Sequence, residues 1–285
     1  MSMHKGGNVL PASTSRFAFG KNWQRFLRHL AEERIAVACD SLSSMLELPS
    51  LAGKTFLDIG SGSGLFSLAA MRLGAARVHS FDYDAQSVAC TRELKERFYR
   101  AAPNWSIEQG SALDADYLRG LGSFDVVYAW GVLHHTGNMW QALENIHPLV
   151  SPGGKLFVAL YNDEGRRSRF WRAVKYLYCR NVVWRVFLIA IFGSIFTLKG
   201  FVKDLLLLKN PFVRYGEYKK QRGMAYFSDM LDWLGGFPFE VARVEAVFDF
   251  FRCRGFELAK LKTPLQTKGN NEFVFVNHRP SAAPQ

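Results

Sequence analysis

Short apolar segments alternate with amphipathic ones along most of the chain, and glycine-rich bends separate many of them. Apolar side chains at helical spacing predict helices at 65–73, 85–99, 138–150 and 241–252. Strands that alternate with such helices are typical of an α/β fold with a largely parallel sheet. Seven short segments have the composition of strands, and we predict strands at 55–59, 76–81, 105–109, 124–129, 155–161, 256–261 and 272–277.

The bend between the first strand and the following helix contains Gly60, Gly62 and Gly64. Glycine permits a sharp turn and a close approach of the backbone to a ligand, where a Cβ would clash. The N–H groups that open the next helix face the same spot, which suits a nucleotide-like ligand. Asp82 ends the second strand, 18 residues after Gly64, where an acid is placed to hydrogen-bond ribose hydroxyls. The alternative is that Asp82 only caps the helix that starts near residue 85.

With these two features the chain resembles the class I (Rossmann-like) S-adenosylmethionine-dependent methyltransferases over about residues 50–162 and 240–278. Its motifs are closest in style to those of ubiquinone-biosynthesis O-methyltransferases. The resemblance implies a seven-stranded, mostly parallel sheet with an antiparallel last strand, and S-adenosylmethionine as the cofactor. The stretches that carry it are Leu57-Asp-Ile-Gly-Ser-Gly-Ser-Gly64, Asp82, Phe124-Asp-Val-Val-Tyr-Ala-Trp-Gly-Val-Leu-His-His135 and Leu149-Val-Ser-Pro-Gly-Gly-Lys-Leu-Phe-Val158.

The same resemblance implies a set of cofactor contacts. Ser111 stands where the family commonly has an acid that binds the adenine amino group, and Asp114 lies one turn too late to replace it. A hydroxyl can still accept that bond, or the Ala112 backbone can contact the ring. The acid before the glycines, Asp58, points to this cofactor rather than NAD. The predicted cofactor residues are Asp58, Gly60, Gly62, Gly64, Asp82, Ser111, Ala112 and Trp130.

Methyl transfer from a sulfonium mainly requires donor and acceptor to be held in line, away from water. A hydroxyl acceptor must also lose its proton, and histidine is the commonest base for that near neutral pH. His135 and His134 follow the fourth strand, where the family fold places the acceptor, so both are candidate bases. A structural role is the alternative for His135, because family members that need no base also carry a histidine there. Candidate substrate contacts are Tyr161, Asn162, Asn270 and Asn271.

Two other chemistries fit the sequence less well. A metal-assisted mechanism needs several clustered carboxylates, and Asp163 and Glu164 alone do not provide them, so we expect no metal. Methylation of nucleic-acid amino groups is usually marked by an Asp/Asn-Pro-Pro-aromatic run after the fourth strand. The residues at that position are Ala129-Trp-Gly-Val132, which argues against methylation of nucleic-acid amino groups.

A long insertion follows the fifth strand, with about 75 residues from 163 to 237 before the family pattern resumes. Its apolar patterns predict helices at 170–177, 182–198 and 201–208. The uncharged stretch 186–198 is short of the roughly 20 apolar residues that cross a bilayer. Three interpretations stay open: a membrane span, a buried lid over an apolar substrate, or a segment lying on an anionic membrane surface.

The formal charge of +11 is concentrated in this insertion. Residues 166–222 contain 14 Lys and Arg against two acids, a charge of +12, whereas the remaining chain carries −1. A basic segment suits RNA as well as anionic lipid. Because residues 182–208 are dominated by Leu, Ile, Val and Phe, the sequence favours a lipid or a lipid-linked partner over nucleic acid.

These patterns predict a division of the chain into regions. In the resembled family a segment such as 16–48, apolar at helical spacing, often packs over the cofactor pocket, which makes Asn22 and Trp23 candidate lid residues. The alternative is that its aromatic side chains only bury against the sheet edge. The regions are an N-terminal helical lid at 1–48, a cofactor-binding core at 49–162, the insertion at 163–238, the C-terminal part of the core at 239–278 and a tail at 279–285.

The four cysteines are far apart and fit neither a disulfide framework nor a zinc site, which favours a reducing compartment. Residues 1–16 lack the apolar core of a signal peptide. We therefore expect a cytoplasmic protein that contacts the inner face of a membrane peripherally through residues 166–222. The leading functional hypothesis is O-methylation of a small hydrophobic, lipid-linked or anionic acceptor. The alternatives are an RNA methyltransferase that uses the basic insertion and a protein that binds S-adenosylmethionine without catalysis.

Overall fold

The computed structural model describes residues 19–207, 226–264 and 269–279. Its centre is one seven-stranded sheet in the order β3-β2-β1-β4-β5-β7-β6. Strand β7 runs antiparallel to both of its neighbours, and the other paired strands are parallel. The predicted α/β fold, with a mostly parallel sheet and an antiparallel last strand, is confirmed. The strands are β1 (Thr55–Ile59), β2 (Arg77–Asp82), β3 (Trp105–Gln109), β4 (Phe124–Trp130), β5 (Val150–Tyr161), β6 (Phe256–Lys262) and β7 (Asn270–Asn277).

Helices cover both faces of the sheet because its strands are apolar on both sides. In β1, Phe56 packs with the core on the face covered by the helices α2 to α4, and Leu57 packs with the core on the opposite face. The helices are α1 (Gly20–Leu27), α2 (Glu32–Leu46), α3 (Leu65–Arg72), α4 (Ala85–Tyr99), α5 (Ala115–Leu121), α6 (Met139–Ile146), α7 (Arg166–Arg180), α8 (Val182–Leu206), α9 (Tyr226–Gly235) and α10 (Val244–Arg252).

The strand order reverses between β1 and β4, which both lie at the centre of the sheet. In open α/β sheets a ligand binds at such a switch point, beyond the carboxyl ends of the strands. The carboxyl ends of β1, β2 and β4 therefore define the edge at which the functional residues are to be sought.

Several predicted boundaries are wrong. Strand β5 begins at Val150 and not at the predicted residue 155, and its register against β4 shifts near this start. A short 3₁₀ turn at His147–Leu149 ends the α6 region earlier than predicted. The helices predicted at 182–198 and 201–208 form the single helix α8, and the predicted helix at 170–177 is part of the longer α7.

The helices α7, α8 and α9 share a hydrophobic cluster that is separate from the two cores of the sheet. It contains Val174 and Tyr178 of α7, Leu188 of α8, and Met230 and Leu234 of α9. The insertion therefore packs largely on itself. The limits of the predicted regions stay predictions, and 1–18, 208–225, 265–268 and 280–285 lie outside the described residues.

Candidate cofactor and acceptor site

A cavity opens at the carboxyl ends of β1, β2 and β3, beside the loop that follows β4. It encloses about 670 Å³, counting the part open to solvent. Of the predicted cofactor residues, Gly60, Asp82, Ser111 and Ala112 line it. The remaining lining residues are Phe19, Ile59, Phe81, Tyr83, Asp84, Gly110, Leu113, Val132, His135, Thr136 and Phe237.

Asp82 is fixed at the end of β2 by two backbone hydrogen bonds. Its Oδ2 accepts from the Gly62 N–H at 2.9 Å, and its Oδ1 accepts from the Asp84 N–H at 2.8 Å. Each carboxylate oxygen therefore keeps acceptor capacity for a ligand hydroxyl. Burial raises the pKa of Asp82 to about 6, although these hydrogen bonds oppose the shift. The carboxylate is thus mostly ionised at neutral pH.

The three glycines after β1 are required by packing as well as by their backbone conformation. Gly60, Gly62 and Gly64 have φ of +70°, +56° and +80°, where other residues are strained. A Cβ on Gly60 would lie 2.2 Å from Cγ2 of Val132, and one on Gly62 would lie 3.0 Å from the indole of Trp23. Val132 and Trp23 therefore occupy the space that a Cβ at Gly60 or Gly62 would need.

Asp58 lies outside the lining of the cavity, in contrast to its predicted role. It is 2% exposed, and its Oδ2 accepts a hydrogen bond from the Ser67 hydroxyl at 2.5 Å. Ser67 in turn contacts Ser80, whose hydroxyl accepts from the Trp105 indole. Burial raises the pKa of Asp58 to about 7. In this structure the acid ties the start of α3 to the sheet.

Helix α1 lies over the cavity. Phe19, at its start, lines the cavity, and the Gly20 N–H donates to Oδ2 of Asp84 at 2.9 Å. Asp84 also caps α4 through its other oxygen, which accepts from the Gln86 N–H. The indole of Trp23 lies against Gly62 of the glycine loop, and its role as a lid residue stays a prediction. Asp84 was not among the predicted site residues, although an acid two residues after Asp82 and immediately before a helix is a recognisable signal.

The remaining predicted cofactor residue, Trp130, ends β4 and is 42% exposed, and it does not line the cavity. Ser111 and Ala112 do line it, in the loop after β3. Phe237 contributes to the same wall from the end of the insertion. No motif of the sequence marks Phe237, because it reaches the cavity only through the tertiary packing of the insertion.

His135 is the predicted base that reaches the cavity. Its Nδ1 lies 2.7 Å from the carbonyl oxygen of Pro238. Because a carbonyl only accepts hydrogen bonds, Nδ1 carries the proton and Nε2 keeps a free lone pair. Burial lowers the pKa of His135 to about 4, so the ring is neutral at physiological pH.

His134 is buried away from the cavity. It is 1% exposed, and burial lowers its pKa well below the ordinary value. Its ring packs 3.9 Å from the Tyr161 ring and 4.5 Å from the His135 ring, measured between centroids. Within the described residues its Nδ1 has no hydrogen-bond partner. The structure therefore favours a packing role for His134 over the predicted role as a base.

A second cavity of about 420 Å³, counting its open part, lies at the end of β5 beside the insertion. The predicted substrate residues Tyr161 and Asn162 line it, whereas Asn271 is 2% exposed. Asn271 instead donates from Nδ2 to Oδ1 of Asn162 at 3.0 Å, so it orients a lining residue. The other lining residues are Glu164, Ser168, Trp171, Trp233, Phe239 and Gly269.

Lys175 lies behind the aromatic wall of this second cavity. It is 1% exposed, and its Nζ donates to the Trp233 carbonyl and lies 4.8 Å and 5.2 Å from the centroids of the Trp233 and Phe239 rings. Burial lowers the pKa of Lys175 to about 7. One of the 14 cations of the insertion is therefore internal and not part of its surface.

The two cavities meet at a pair of rings. His135 lines the first and Tyr161 lines the second, and their ring centroids are 5.5 Å apart at nearly perpendicular planes. On the side of the insertion, Phe237 lines the first cavity and Phe239, two residues later, lines the second. A nucleotide-like ligand at Asp82 and a second ligand beside Trp171 would thus approach each other at His135 and Tyr161.

Comparisons with known proteins agree with this geometry. Residues 57–156 match the family model Methyltransf_12, described as a methyltransferase domain. A ribosomal protein L11 methyltransferase from Halorhodospira halophila is 43% identical over 70 residues, 24% of this chain and 24% of the relative. A ubiquinone biosynthesis O-methyltransferase from Pseudomonas paraeruginosa is 31% identical over 131 residues, 44% of this chain and 51% of the relative. The chain thus matches between a quarter and a half of the length of these curated relatives.

Among solved structures, the magnesium protoporphyrin IX methyltransferase of Synechocystis, with bound S-adenosylhomocysteine, has a TM-score of 0.52. It is 15% identical, and the match covers 90% of this chain and 94% of that chain, so the likeness shows the fold. The family match coincides with the glycine loop, Asp82 and strands β1 to β5. Residues 57–156 therefore match a methyltransferase domain, and the fold of the chain is that of the class I S-adenosylmethionine-dependent methyltransferases.

Proposed function

We propose that the chain transfers a methyl group from S-adenosylmethionine to a hydroxyl oxygen of an apolar small molecule. The observation that carries this proposal is the meeting of two cavities at His135 and Tyr161. The first has an ionised acid suited to ribose hydroxyls, and the second has an aromatic wall. Methyl transfer needs such an arrangement, because the sulfonium methyl must lie in line between the donor sulfur and the acceptor oxygen.

His135 provides the proton acceptor in this proposal. Its protonated Nδ1 is fixed on the Pro238 carbonyl, so the unprotonated Nε2 is left to accept the acceptor hydroxyl's proton. The sulfonium loses its positive charge as the methyl group leaves. Because a nearby positive charge disfavours a protonated imidazole, this loss raises the pKa of His135. The ring is thus held neutral until transfer begins.

The second cavity sets the class of acceptor. Trp171, Trp233 and Phe239 present flat apolar surfaces, which bind a ring or a hydrocarbon chain through burial and stacking. Asn162 supplies one polar contact, because its Oδ1 accepts from Asn271 while its amide donors have no partner among the described residues. Glu164 and Ser168 add further polar groups to the same lining, and a few polar groups beside an aromatic wall suit an apolar molecule with a hydroxyl or carbonyl to be oriented.

A labelling experiment tests the proposal. The purified chain is incubated with S-adenosylmethionine carrying a tritiated methyl group and with a total cell extract that is then separated into organic, aqueous and macromolecular fractions. We expect label in the organic fraction that resists mild alkali, as an ether does and an ester does not.

The Trp171→Ala variant should lose most of this transfer while keeping the wild-type affinity for S-adenosylmethionine. Trp140→Ala is the matched control, because Trp140 is a 38% exposed tryptophan on α6 that lines neither cavity. Label confined to RNA or protein, or equal transfer by both variants, would show that the acceptor is of another class or binds elsewhere.

A further inference from the structure

We propose that the outward face of α8 docks the protein on an anionic lipid bilayer, with the helix lying in the plane of one leaflet. This inference concerns where the protein works rather than what it methylates, so it goes beyond the proposed function. It rests on the exposure of the helix, on the charges around it and on its packing against α7.

Helix α8 is apolar on the face that points away from the protein. Val183, Val186, Leu198 and Leu206 are 73%, 62%, 63% and 79% exposed. Over its 25 residues it is long and apolar enough by composition to cross a membrane, with a mean hydropathy of 1.8, yet only 6% of its most apolar window is buried. A fully buried lid, one of the three interpretations of the sequence, does not fit these exposures.

The inward face of the same helix is also apolar. Phe192 packs 5.2 Å from the Trp171 ring, and Phe196 packs 5.8 Å from the Trp233 ring, between centroids. A helix that is apolar all round is stable when protein or lipid covers every side. Protein covers only the inward side within the described residues, which leaves the outward side for lipid.

The charges around α8 select an anionic bilayer as the occupant. Arg180 and Arg185 are exposed at the turn into the helix, and Lys199 is exposed near its other end. The sequence 166–222 carries a charge of +12. A second copy of the chain on this face would bring two such segments together and would be repelled, whereas anionic headgroups attract them.

The packing of α7 against α8 indicates that the helix lies in the leaflet instead of crossing it. Arg185 of α8 lies 5.4 Å from the Tyr178 ring, and Phe192 contacts Trp171, so the two helices run antiparallel side by side. Helix α7 exposes Arg169 and Arg180. A spanning α8 would carry these guanidinium groups into the hydrocarbon, which is costly.

This position would bring the bilayer next to the second cavity. Trp171 and Trp233 line that cavity on one side and contact Phe192 and Phe196 of α8 on the other. An acceptor dissolved in the membrane would therefore be close to its binding site. This last link rests on the proposed function, whereas the docking itself does not.

Flotation with vesicles tests the docking without any acceptor. Wild-type protein is mixed with vesicles of phosphatidylcholine alone or with phosphatidylglycerol added, at low and high salt. We expect binding that requires phosphatidylglycerol and weakens with salt. The Val186→Asp/Leu198→Asp double variant should bind at least about tenfold more weakly, because a carboxylate is excluded from the apolar region of a leaflet.

The matched control is Val37→Asp, because Val37 on α2 is 65% exposed and lies outside the insertion. It should float like the wild type, and unchanged calorimetric affinity for S-adenosylmethionine should show that the variants are folded. The proposal is overturned if the wild type ignores anionic vesicles or if the double variant floats equally well. It is also overturned if the wild type self-associates or binds RNA but does not bind vesicles, and the α8 substitutions abolish that association. The α8 face would then dock a second copy of the chain or RNA and not a bilayer. A negative flotation result would leave the proposed methyl transfer untouched, because the experiment contains no methyl acceptor.

Discussion

Replacing Asp82 by asparagine should weaken the binding of S-adenosylmethionine about thirtyfold. Both carboxylate oxygens of Asp82 already accept a backbone N–H, at 2.9 Å from Gly62 and at 2.8 Å from Asp84. Asparagine keeps one acceptor oxygen and places an NH₂ group against one of these two N–H donors. It also removes the charge that strengthens a hydrogen bond to a ribose hydroxyl.

The size of the effect follows from the value of one charged hydrogen bond. Such a bond contributes about 1.5–3 kcal/mol. A loss of roughly 2 kcal/mol corresponds to about a thirtyfold increase in the dissociation constant. Isothermal titration calorimetry with S-adenosylmethionine or S-adenosylhomocysteine measures this change directly, and thermal unfolding without ligand shows whether the fold persists.

The pH dependence of binding provides a second signature of the same residue. The pKa of Asp82 is raised to about 6 by burial, and the carboxylate must be ionised to accept both ribose hydroxyls. The dissociation constant should therefore be constant above about pH 7 and rise below pH 6, approaching about tenfold per pH unit. Asp82→Asn should lack this dependence. Asp58 also titrates near neutrality, but the comparison of the two proteins isolates the contribution of Asp82.

Asp114→Asn is the matched control for this substitution. Asp114 caps α5 through the Tyr117 N–H, and it does not line the cavity. Asparagine caps a helix about as well as aspartate, so both affinity and stability should remain close to wild type. Wild-type affinity in Asp82→Asn, or an unchanged pH profile in that variant, would refute the assignment of Asp82 to the ribose.

Three further predictions follow from the same structure. Gly60→Ala should lower the free energy of unfolding by about 3 kcal/mol and Gly53→Ala by only about 1 kcal/mol, measured by chemical denaturation. Both glycines have a positive φ, but only at Gly60 would the added Cβ clash, 2.2 Å from Cγ2 of Val132. Equal losses would show that Val132 moves aside freely. His135→Ala should lower turnover about a hundredfold at unchanged cofactor affinity, and a parallel loss of affinity would indicate a structural role instead. Burial lowers the pKa of Lys175 to about 7, so above that pH the unfolded protein binds more protons than the folded protein. The free energy of unfolding of the wild type should therefore rise from pH 7 to 10 relative to that of Lys175→Met. A pH-independent difference between the two proteins would contradict the burial of the charged group.

The sheet and the cofactor end of the site were accessible from the sequence because both depend on local patterns. The glycine bend after β1 and the acid at the end of β2 keep a fixed spacing in the chain and meet because parallel strands end at one edge. In the structure a hydrogen bond joins the Gly62 N–H to Asp82 at this edge. The α/β class therefore followed from the alternation of strand and helix patterns, whereas the seven-stranded sheet with its antiparallel last strand was implied by the family resemblance.

The acceptor end was only partly accessible, because it is assembled from distant segments. Trp171, Trp233 and Phe239 belong to the insertion, and no periodicity relates them to Tyr161 at the end of β5. Asn271 has the right position in the chain but points to Asn162, since a buried amide must satisfy its hydrogen bonds within the protein. Asp58 similarly accepts a hydrogen bond from Ser67, whose hydroxyl also contacts that of Ser80.

The insertion shows the limit of pattern analysis in another way. The sequence separates apolar stretches at 182–198 and 201–208, because Lys199 and Gly200 interrupt the run. In the structure the helix continues through both, since Lys199 is exposed and one glycine weakens a helix without ending it. Only the exposure of Val186 and Leu198 then distinguishes an exposed apolar face from a buried lid.

A crystal structure of the chain with S-adenosylhomocysteine tests the central claim most directly. The account predicts ribose hydroxyls on the carboxylate of Asp82, the adenine against Ser111 and Ala112, and the homocysteine sulfur directed toward His135 and Tyr161. A ribose bound away from Asp82, or a sulfur directed away from the junction of the two cavities, would contradict it.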